Sequence, residues 1–136
     1  VNQGGHLMAG SIAENVTAWS NTKDSQRYEL VSTICGLDTL PSDVITEGGS
    51  NLSGGQKCRV LLARALYKRS KIVFLDETLS ALDVPTAREI ISSIQEYFSE
   101  RCLIVVSHRD AELPCDYQSI EVSVRDGGLA TMRGKA

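Results

Sequence analysis

The sequence predicts an α/β fold with parallel strands in one sheet. Two short apolar runs, residues 72–75 and 103–106, are typical of buried parallel strands. Between them, apolar residues recur at helical spacing at Ala87, Ile90, Ile91, Ile94 and Phe98. This order of strand, amphipathic helix and strand indicates a helix that packs on a parallel sheet.

The residues before position 52 predict short helices. Ser11 and Glu14 form an S-x-x-E capping box, so a helix should begin there. Asp24 or Ser25 can cap a second helix, which Gly36 should end. Residues 46–51 contain two glycines and are expected to form a flexible connector.

The residues after the connector predict an anion site. Ser53 and Gln56 form an S-x-x-Q capping box at the start of a helix. Gly54 and Gly55 leave the first turn of this helix without side chains, so its backbone N–H groups stay open to approach. Free N–H groups at the positive end of a helix dipole bind anions, and phosphate is the expected anion.

Acidic residues follow the first strand at the position where ligands bind in open α/β sheets. Asp76 and Glu77 come directly after the apolar run. Asp83 can cap the next helix, with Pro85 in its first turn. Near the end of the chain, residues 120–124 and 129–132 predict a β-hairpin.

Five motifs in this order resemble those of the nucleotide-binding domain of an ATP-binding cassette (ABC) protein. They are Gln3 for the Q-loop, residues 52–56 (LSGGQ) for the signature, residues 72–77 for Walker B and its glutamate, residues 80–83 for the D-loop, and His108 for the switch histidine. The resemblance implies an ABC ATPase fold of the P-loop NTPase class. Residues 1–56 would hold the Q-loop, the helical subdomain and the signature, and residues 57–136 the C-terminal part of a mostly parallel RecA-like core.

The Walker A motif G-x-x-x-x-G-K-[ST] has no match in the sequence. We interpret the chain as the C-terminal portion of a nucleotide-binding domain, and we expect the isolated chain to be inactive. Two departures from the family pattern are Cys58, where glutamine is common, and residues 78–79 (TL), where alanine and threonine are usual. We expect little consequence from Cys58.

The resemblance also implies the cofactors, ATP and Mg²⁺, and a role for each site residue. Asp76 would hold Mg²⁺, usually through water, and Glu77 would activate the attacking water. His108 would reach the γ-phosphate, and Gln3 would sense the metal and the water. The remaining nucleotide-binding residues would be Ser53, Gly54, Gly55, Gln56 and Asp83.

The partners implied are a second nucleotide-binding domain, arranged head to tail, and the transmembrane domain of an exporter. The site would then lie at the cytoplasmic face of a membrane. Residues 10–16 and 47–52 are similar to exporters whose membrane and ATPase domains share one chain, including bacteriocin or peptide exporters that also carry an N-terminal peptidase domain. The cargo would be a peptide, a bacteriocin or a lipid-like molecule. Glu47 lies where exporters carry a loop that touches the transmembrane partner.

Composition leaves two alternatives open, a soluble ABC ATPase of translation or DNA repair and a non-hydrolysing partner subunit. The net charge of −3 gives no sign of a nucleic-acid surface, so no nucleic-acid partner is expected. The short insert between Gln3 and Leu52 lacks the long coiled coil of repair proteins. Intact Glu77 and His108 disfavour an inactive subunit. The four cysteines show no C-x-x-C spacing and are expected to be reduced.

Overall fold

The structure is a computed structural model that describes residues 5–18, 20, 23–100 and 102–107, and the backbone of residues 119–124 and 130–135. Within these residues, α-helices lie at Ile12–Thr17 (α1), Ser25–Cys35 (α2), Gly54–Tyr67 (α3) and Val84–Tyr97 (α4). Short 3-10 turns lie at Leu37–Thr39, Glu47–Gly49 and Thr78–Ala81. None of the described helices has the length and apolar character that a membrane crossing needs.

The described strands form three pairs. They are Gly10–Ser11 (β1), Val44–Ile45 (β2), Ile72–Asp76 (β3), Cys102–Val106 (β4), Ser119–Val124 (β5) and Ala130–Lys135 (β6). β3 and β4 are parallel, and β1–β2 and β5–β6 are antiparallel. Asp76 pairs with Val106, so the carboxyl ends of β3 and β4 meet at one edge. The predicted α/β class and the strands of the C-terminal hairpin are confirmed.

The helix ends are where the capping residues predict them. Ser11 caps α1 in a complete capping box with Glu14, and Asp24 caps α2 by accepting the Arg27 N–H. Gly36 ends α2 in the left-handed conformation. Asp83 caps α4, and Pro85 lies in its first turn. Each cap satisfies backbone groups that a helix end would leave without partners.

One hydrophobic core joins the helices to β3. α3 contributes a broad buried face, and the predicted stripe of α4 is buried along its whole length. The core runs without a break from Leu7 to Phe98. The predicted boundary between residues 56 and 57 lies within α3. The division of the chain into these two functional parts therefore stays a prediction.

The prediction that β3 is a buried strand was wrong for one of its faces. Val73 and Leu75 are buried, but Ile72 and Phe74 are 60% and 48% exposed. On β4, Ile104 and Val106 are 42% and 40% exposed. Successive side chains point to opposite faces of a sheet. The described elements therefore cover one face of the β3–β4 pair and leave its other face in contact with solvent.

The connector at residues 46–51 is a hydrogen-bonded turn rather than a flexible link. The Thr46 N–H donates to Asn51 Oδ1 over 3.0 Å, and Asn51 Nδ2 donates to the Val44 carbonyl over 2.8 Å. The Gly48 N–H donates to the Leu7 carbonyl over 2.9 Å. These bonds fix the path of the chain into α3.

Candidate functional site

The start of α3 has the predicted capping geometry. The Gln56 N–H donates to Ser53 Oγ over 3.3 Å, and the Ser53 N–H donates to Gln56 Oε1 over 2.8 Å. The reciprocal cap uses the N–H groups of Ser53 and Gln56. The N–H groups of Gly54 and Gly55 are among those that a helix leaves without an intrahelical acceptor. They carry the positive end of the helix dipole.

The two glycines of the signature differ in their surroundings. A Cβ atom on Gly54 would meet nothing within 4 Å. A Cβ atom on Gly55 would lie 3.0 Å from the carbonyl oxygen of Ala81 and 3.6 Å from Leu82 Cδ2. Gly54 therefore leaves the helix start open to an incoming group, whereas Gly55 lets α3 approach the backbone of the D-loop.

Asp76 and Glu77 lie at the end of β3, as predicted. Asp76 is exposed and Glu77 is half-buried. Glu77 has left-handed backbone angles, φ 51° and ψ 11°. Its N–H donates to the Val106 carbonyl over 3.0 Å, and the Ser80 hydroxyl donates to its carbonyl over 2.6 Å. Residues 76–80 are called the Glu77 turn below.

The Glu77 turn and the start of α3 are in contact. Cys58 Sγ lies 3.0 Å from the Thr78 carbonyl oxygen, as a thiol donor would. A cavity of about 230 Å³ lies beside this contact, and its lining includes Gly54, Lys57, Cys58, Leu61, Thr78 and Ala81. The cavity is smaller than the roughly 300–1,000 Å³ of ordinary ligand pockets. The signature residues thus present a surface here rather than a closed pocket.

Asp83 has a structural role in the described residues. Its Oδ1 accepts the Thr86 N–H over 3.0 Å, and its Oδ2 accepts the Thr86 hydroxyl over 2.8 Å. The hydrogen bond from the Thr86 N–H holds the pKa of Asp83 below its usual value. Both carboxylate oxygens are engaged in the cap, so a contact with nucleotide stays a prediction.

Two of the predicted site residues, Gln3 and His108, lie outside the described residues. Their proposed roles stay predictions. No group of three or more His, Cys, Asp or Glu side chains is placed to hold a metal ion in the part of the chain that is described. Asp76 is a single exposed carboxylate, which suits Mg²⁺ because that ion usually takes one or two carboxylates and fills its other positions with phosphate oxygens and water.

Sequence reasoning missed Arg64, which joins α3 to the segment after the predicted Q-loop. Its Nε and Nη2 donate to the carbonyl and Oδ1 of Asn15 over 2.7 and 2.8 Å, and its Nη1 donates to the His6 carbonyl over 2.9 Å. Asn15 is fully buried. Burial lowers the pKa of Arg64. An arginine within an otherwise apolar helix face was the signal that could have indicated it.

Three of the cysteines lie in the described residues, and all three are free thiols. Cys35 and Cys58 are buried, and Cys102 is exposed. Burial raises the pKa of both buried thiols to about 12, so they stay protonated near neutral pH. They are unreactive but can donate hydrogen bonds.

Comparison with known families settles which family the motifs belong to. A family model described as "ABC transporter" matches residues 1–80, more than half of the chain. The chain belongs to the ABC transporter family. A structure of a bacterial Atm1-family ABC exporter with ATP bound matches with a TM-score of 0.73 and 30% identity, over 80% of this chain and 20% of that one.

Two curated relatives are similar to most of the chain. An ATP-dependent lipid A-core flippase of Haemophilus influenzae strain Rd is 34% identical over 143 aligned positions, which cover 98% of the chain and 24% of the flippase. A probable multidrug resistance-associated protein of Drosophila melanogaster is 35% identical over 116 positions, 79% of the chain and 8% of that protein. This chain thus spans a quarter or less of the length of these two relatives.

Proposed function

We propose that the chain is part of the ATP-binding and ATP-hydrolysing domain of an ABC exporter. The contact between the start of α3 and the Glu77 turn carries this proposal. It links a helix whose N-terminus has accessible N–H groups to the turn that follows a parallel strand and carries two carboxylates. Backbone N–H groups at a helix start suit phosphate. Carboxylates suit Mg²⁺ and the activation of water.

Each acidic residue has an environment that fits its proposed role. Exposed Asp76 would hold Mg²⁺, which neutralises charge on the phosphates when it is bound with the nucleotide. Half-buried Glu77 would accept a proton from the attacking water. A general base must be held within hydrogen-bond reach of its proton, and the hydrogen-bonded backbone of Glu77 supplies such a fixed position. Gln3 and His108 would complete the site from the segments before and after.

The accessible signature surface supports a second nucleotide-binding domain as partner. Ser53 and Gly54 are exposed, and Gly54 faces open space. A nucleotide held by a partner domain could approach this surface directly, which gives a head-to-tail dimer with two sandwiched nucleotides. The second partner would be the transmembrane domain of the exporter, and this domain would then lie at the cytoplasmic face of the membrane.

Glu47 is the proposed contact with the transmembrane domain. It is exposed, and its Oε1 accepts a hydrogen bond from His6 Nε2 over 2.9 Å. This hydrogen bond is the main cause that lowers the pKa of Glu47. Since Glu47 and His6 belong to segments on either side of α1, the pair offers a transmembrane partner one surface that both segments share.

We also propose a class of cargo for the exporter. Of the peptide, bacteriocin and lipid-like cargoes predicted, the lipid-like class is supported by the names of the flippase relatives. Selection of cargo depends on transmembrane segments that the described residues do not include. The cargo therefore has to be tested with the full-length protein in membranes of defined lipid content.

The test of the hydrolytic proposal is Glu77→Gln in the full-length protein. The amide keeps the size of the side chain but cannot accept the proton, so the rate of ATP hydrolysis should fall about 10²- to 10⁴-fold while ATP still binds. Glu89→Gln, which removes an exposed carboxylate from α4, is the matched control and should keep the rate. A Glu77→Gln rate near wild type would show that Glu77 is not the base.

A further inference from the structure

The backbone of Glu77 has to be held by its surroundings. Only Ala18 and Glu77 have positive φ among the described residues that are not glycine. A left-handed conformation costs a residue with a Cβ about 1–2 kcal/mol. Such a conformation persists only where neighbouring contacts fix it, and it often occurs at functional sites.

The contacts that fix the Glu77 turn come from three directions. β4 accepts the Glu77 N–H through the Val106 carbonyl, and Ser80 donates to the Glu77 carbonyl from within the turn. From α3, the Cys58 thiol reaches the Thr78 carbonyl over 3.0 Å. Thr78 follows Glu77 directly, so a hydrogen bond to the Thr78 carbonyl fixes the peptide that comes after the one joining Glu77 to Thr78.

α3 approaches the same segment at a second point. Gly55 brings the helix against the Ala81 carbonyl, one turn before Cys58. The first two turns of α3 thus contact both ends of the 3-10 turn at Thr78–Ala81. The Cys58 thiol is 5% exposed and remains a donor near neutral pH, because burial raises its pKa to about 12.

We propose that Cys58 is a positioning residue that holds Glu77 in its working orientation through the Thr78 carbonyl. The inference rests on the proposed function of Glu77 as the base. It replaces the expectation that cysteine at position 58 has little consequence, because the thiol joins the signature helix to the Glu77 turn.

The test compares four variants of the purified full-length protein. Cys58→Val keeps a similar volume without a donor, and Cys58→Ser keeps a donor in a smaller side chain. Cys35→Val and Cys35→Ser are the matched controls, since Cys35 is also buried and its thiol has the same raised pKa, but it belongs to α2 and not to the helix that contacts the turn. The measurements are kcat and KM for MgATP, nucleotide affinity and the melting temperature.

The proposal expects Cys58→Val to lower kcat about two- to ten-fold, the range for one lost hydrogen bond, with KM unchanged. Cys58→Ser should retain most of kcat. Both Cys35 variants should keep kcat even where they lower the melting temperature. The proposal is overturned if Cys58→Val keeps the wild-type kcat, if Cys58→Ser loses as much as Cys58→Val, or if Cys35→Val loses as much.

Failure of this inference can be distinguished from failure of the proposed function. If Glu77→Gln abolishes hydrolysis and Cys58→Val keeps the full rate, Glu77 is the base and Cys58 does not position it. If Glu77→Gln hydrolyses ATP at the wild-type rate, Glu77 is not the base, and the proposed positioning role of Cys58 falls with it.

Discussion

The start of α3 and the Glu77 turn form the two sides of the candidate site, and they are held in different ways. The start of α3 depends on residues within four positions, Ser53 to Gln56. The Glu77 turn has a local hydrogen bond from Ser80, but it also depends on Val106 and Cys58, which lie far away in the sequence. The first side is regular helix, whereas the second contains a left-handed residue. One side of the site is therefore made by local chemistry and the other by tertiary contacts.

Among the predictions that test this comparison, the largest expected effect concerns the exposed side of the signature. Ser53→Arg in the full-length protein puts a bulky side chain where a partner's phosphate would approach. We expect ATP-driven dimerisation to weaken by about thirty-fold or more, because a bad contact at an interface centre costs about 2 kcal/mol or more. Nucleotide affinity of the monomer should change little. The measurement is dimer formation with ATP in the Glu77→Gln background.

Ser92→Arg provides the control for this prediction. Ser92 is exposed on α4, so the variant adds the same side chain away from the signature. It should leave the ATP-driven dimer unchanged. An intact dimer in Ser53→Arg would mean that the start of α3 does not work across a domain interface.

The next prediction separates the two glycines of the signature by their effect on stability. Gly55→Ala places a Cβ 3.0 Å from the Ala81 carbonyl oxygen, which has to move. We expect a loss of about 1–3 kcal/mol in the free energy of unfolding, the usual cost of overpacking. A Cβ atom at position 54 meets nothing within 4 Å, so Gly54→Ala should leave the free energy of unfolding unchanged or raise it by up to about 1 kcal/mol. Urea denaturation of both variants measures the difference.

Equal effects of the two substitutions would contradict the close approach of α3 to the D-loop. The contact that carries the proposed function would then be looser than the structure shows. A larger loss for Gly54→Ala than for Gly55→Ala would reverse the assignment of the open and the packed glycine.

The sequence predicted what depends on neighbouring residues. Caps at Ser11, Asp24, Ser53 and Asp83 were predicted because each donor or acceptor lies within three positions of its partner. The position of Asp76 and Glu77 at a strand end followed from an apolar run of four residues. The fold class and the position of these two carboxylates at a strand end were therefore accessible without a structure.

What the sequence did not predict depends on distant residues. Arg64 donates to Asn15, which lies 49 positions away, and no local pattern indicates such a pair. The exposed face with Ile72 and Phe74 was missed because an apolar run shows that a strand can be buried, not which elements cover it. The left-handed backbone of Glu77 was missed because a side chain with a Cβ adopts it only under tertiary constraint.

The smallest expected effect tests whether the backbone of Glu77 is strained. Glu77→Gly removes the Cβ that makes a left-handed conformation costly, but it also gives the unfolded chain more freedom. The two terms nearly cancel, so the free energy of unfolding should rise by no more than about 1 kcal/mol. Ala18→Gly is the matched control, because Ala18 has almost the same φ, 50°, on an exposed residue that ends α1.

Chemical denaturation of the two variants separates the backbone of Glu77 from its side chain. Ala18→Gly measures the backbone effect alone, so a similar gain in Glu77→Gly shows that the strain at the turn is not offset by side-chain contacts. The same variant of the full-length protein should lose hydrolysis, because it has no carboxylate. A variant that gains stability and loses activity would mean that the strained residue is retained for catalysis rather than for folding. If Glu77→Gly is destabilised by more than about 1 kcal/mol while Ala18→Gly is not, the Glu77 side chain stabilises the turn. The carboxylate would then be one of the contacts that hold the Glu77 turn, together with those from Val106 and Cys58.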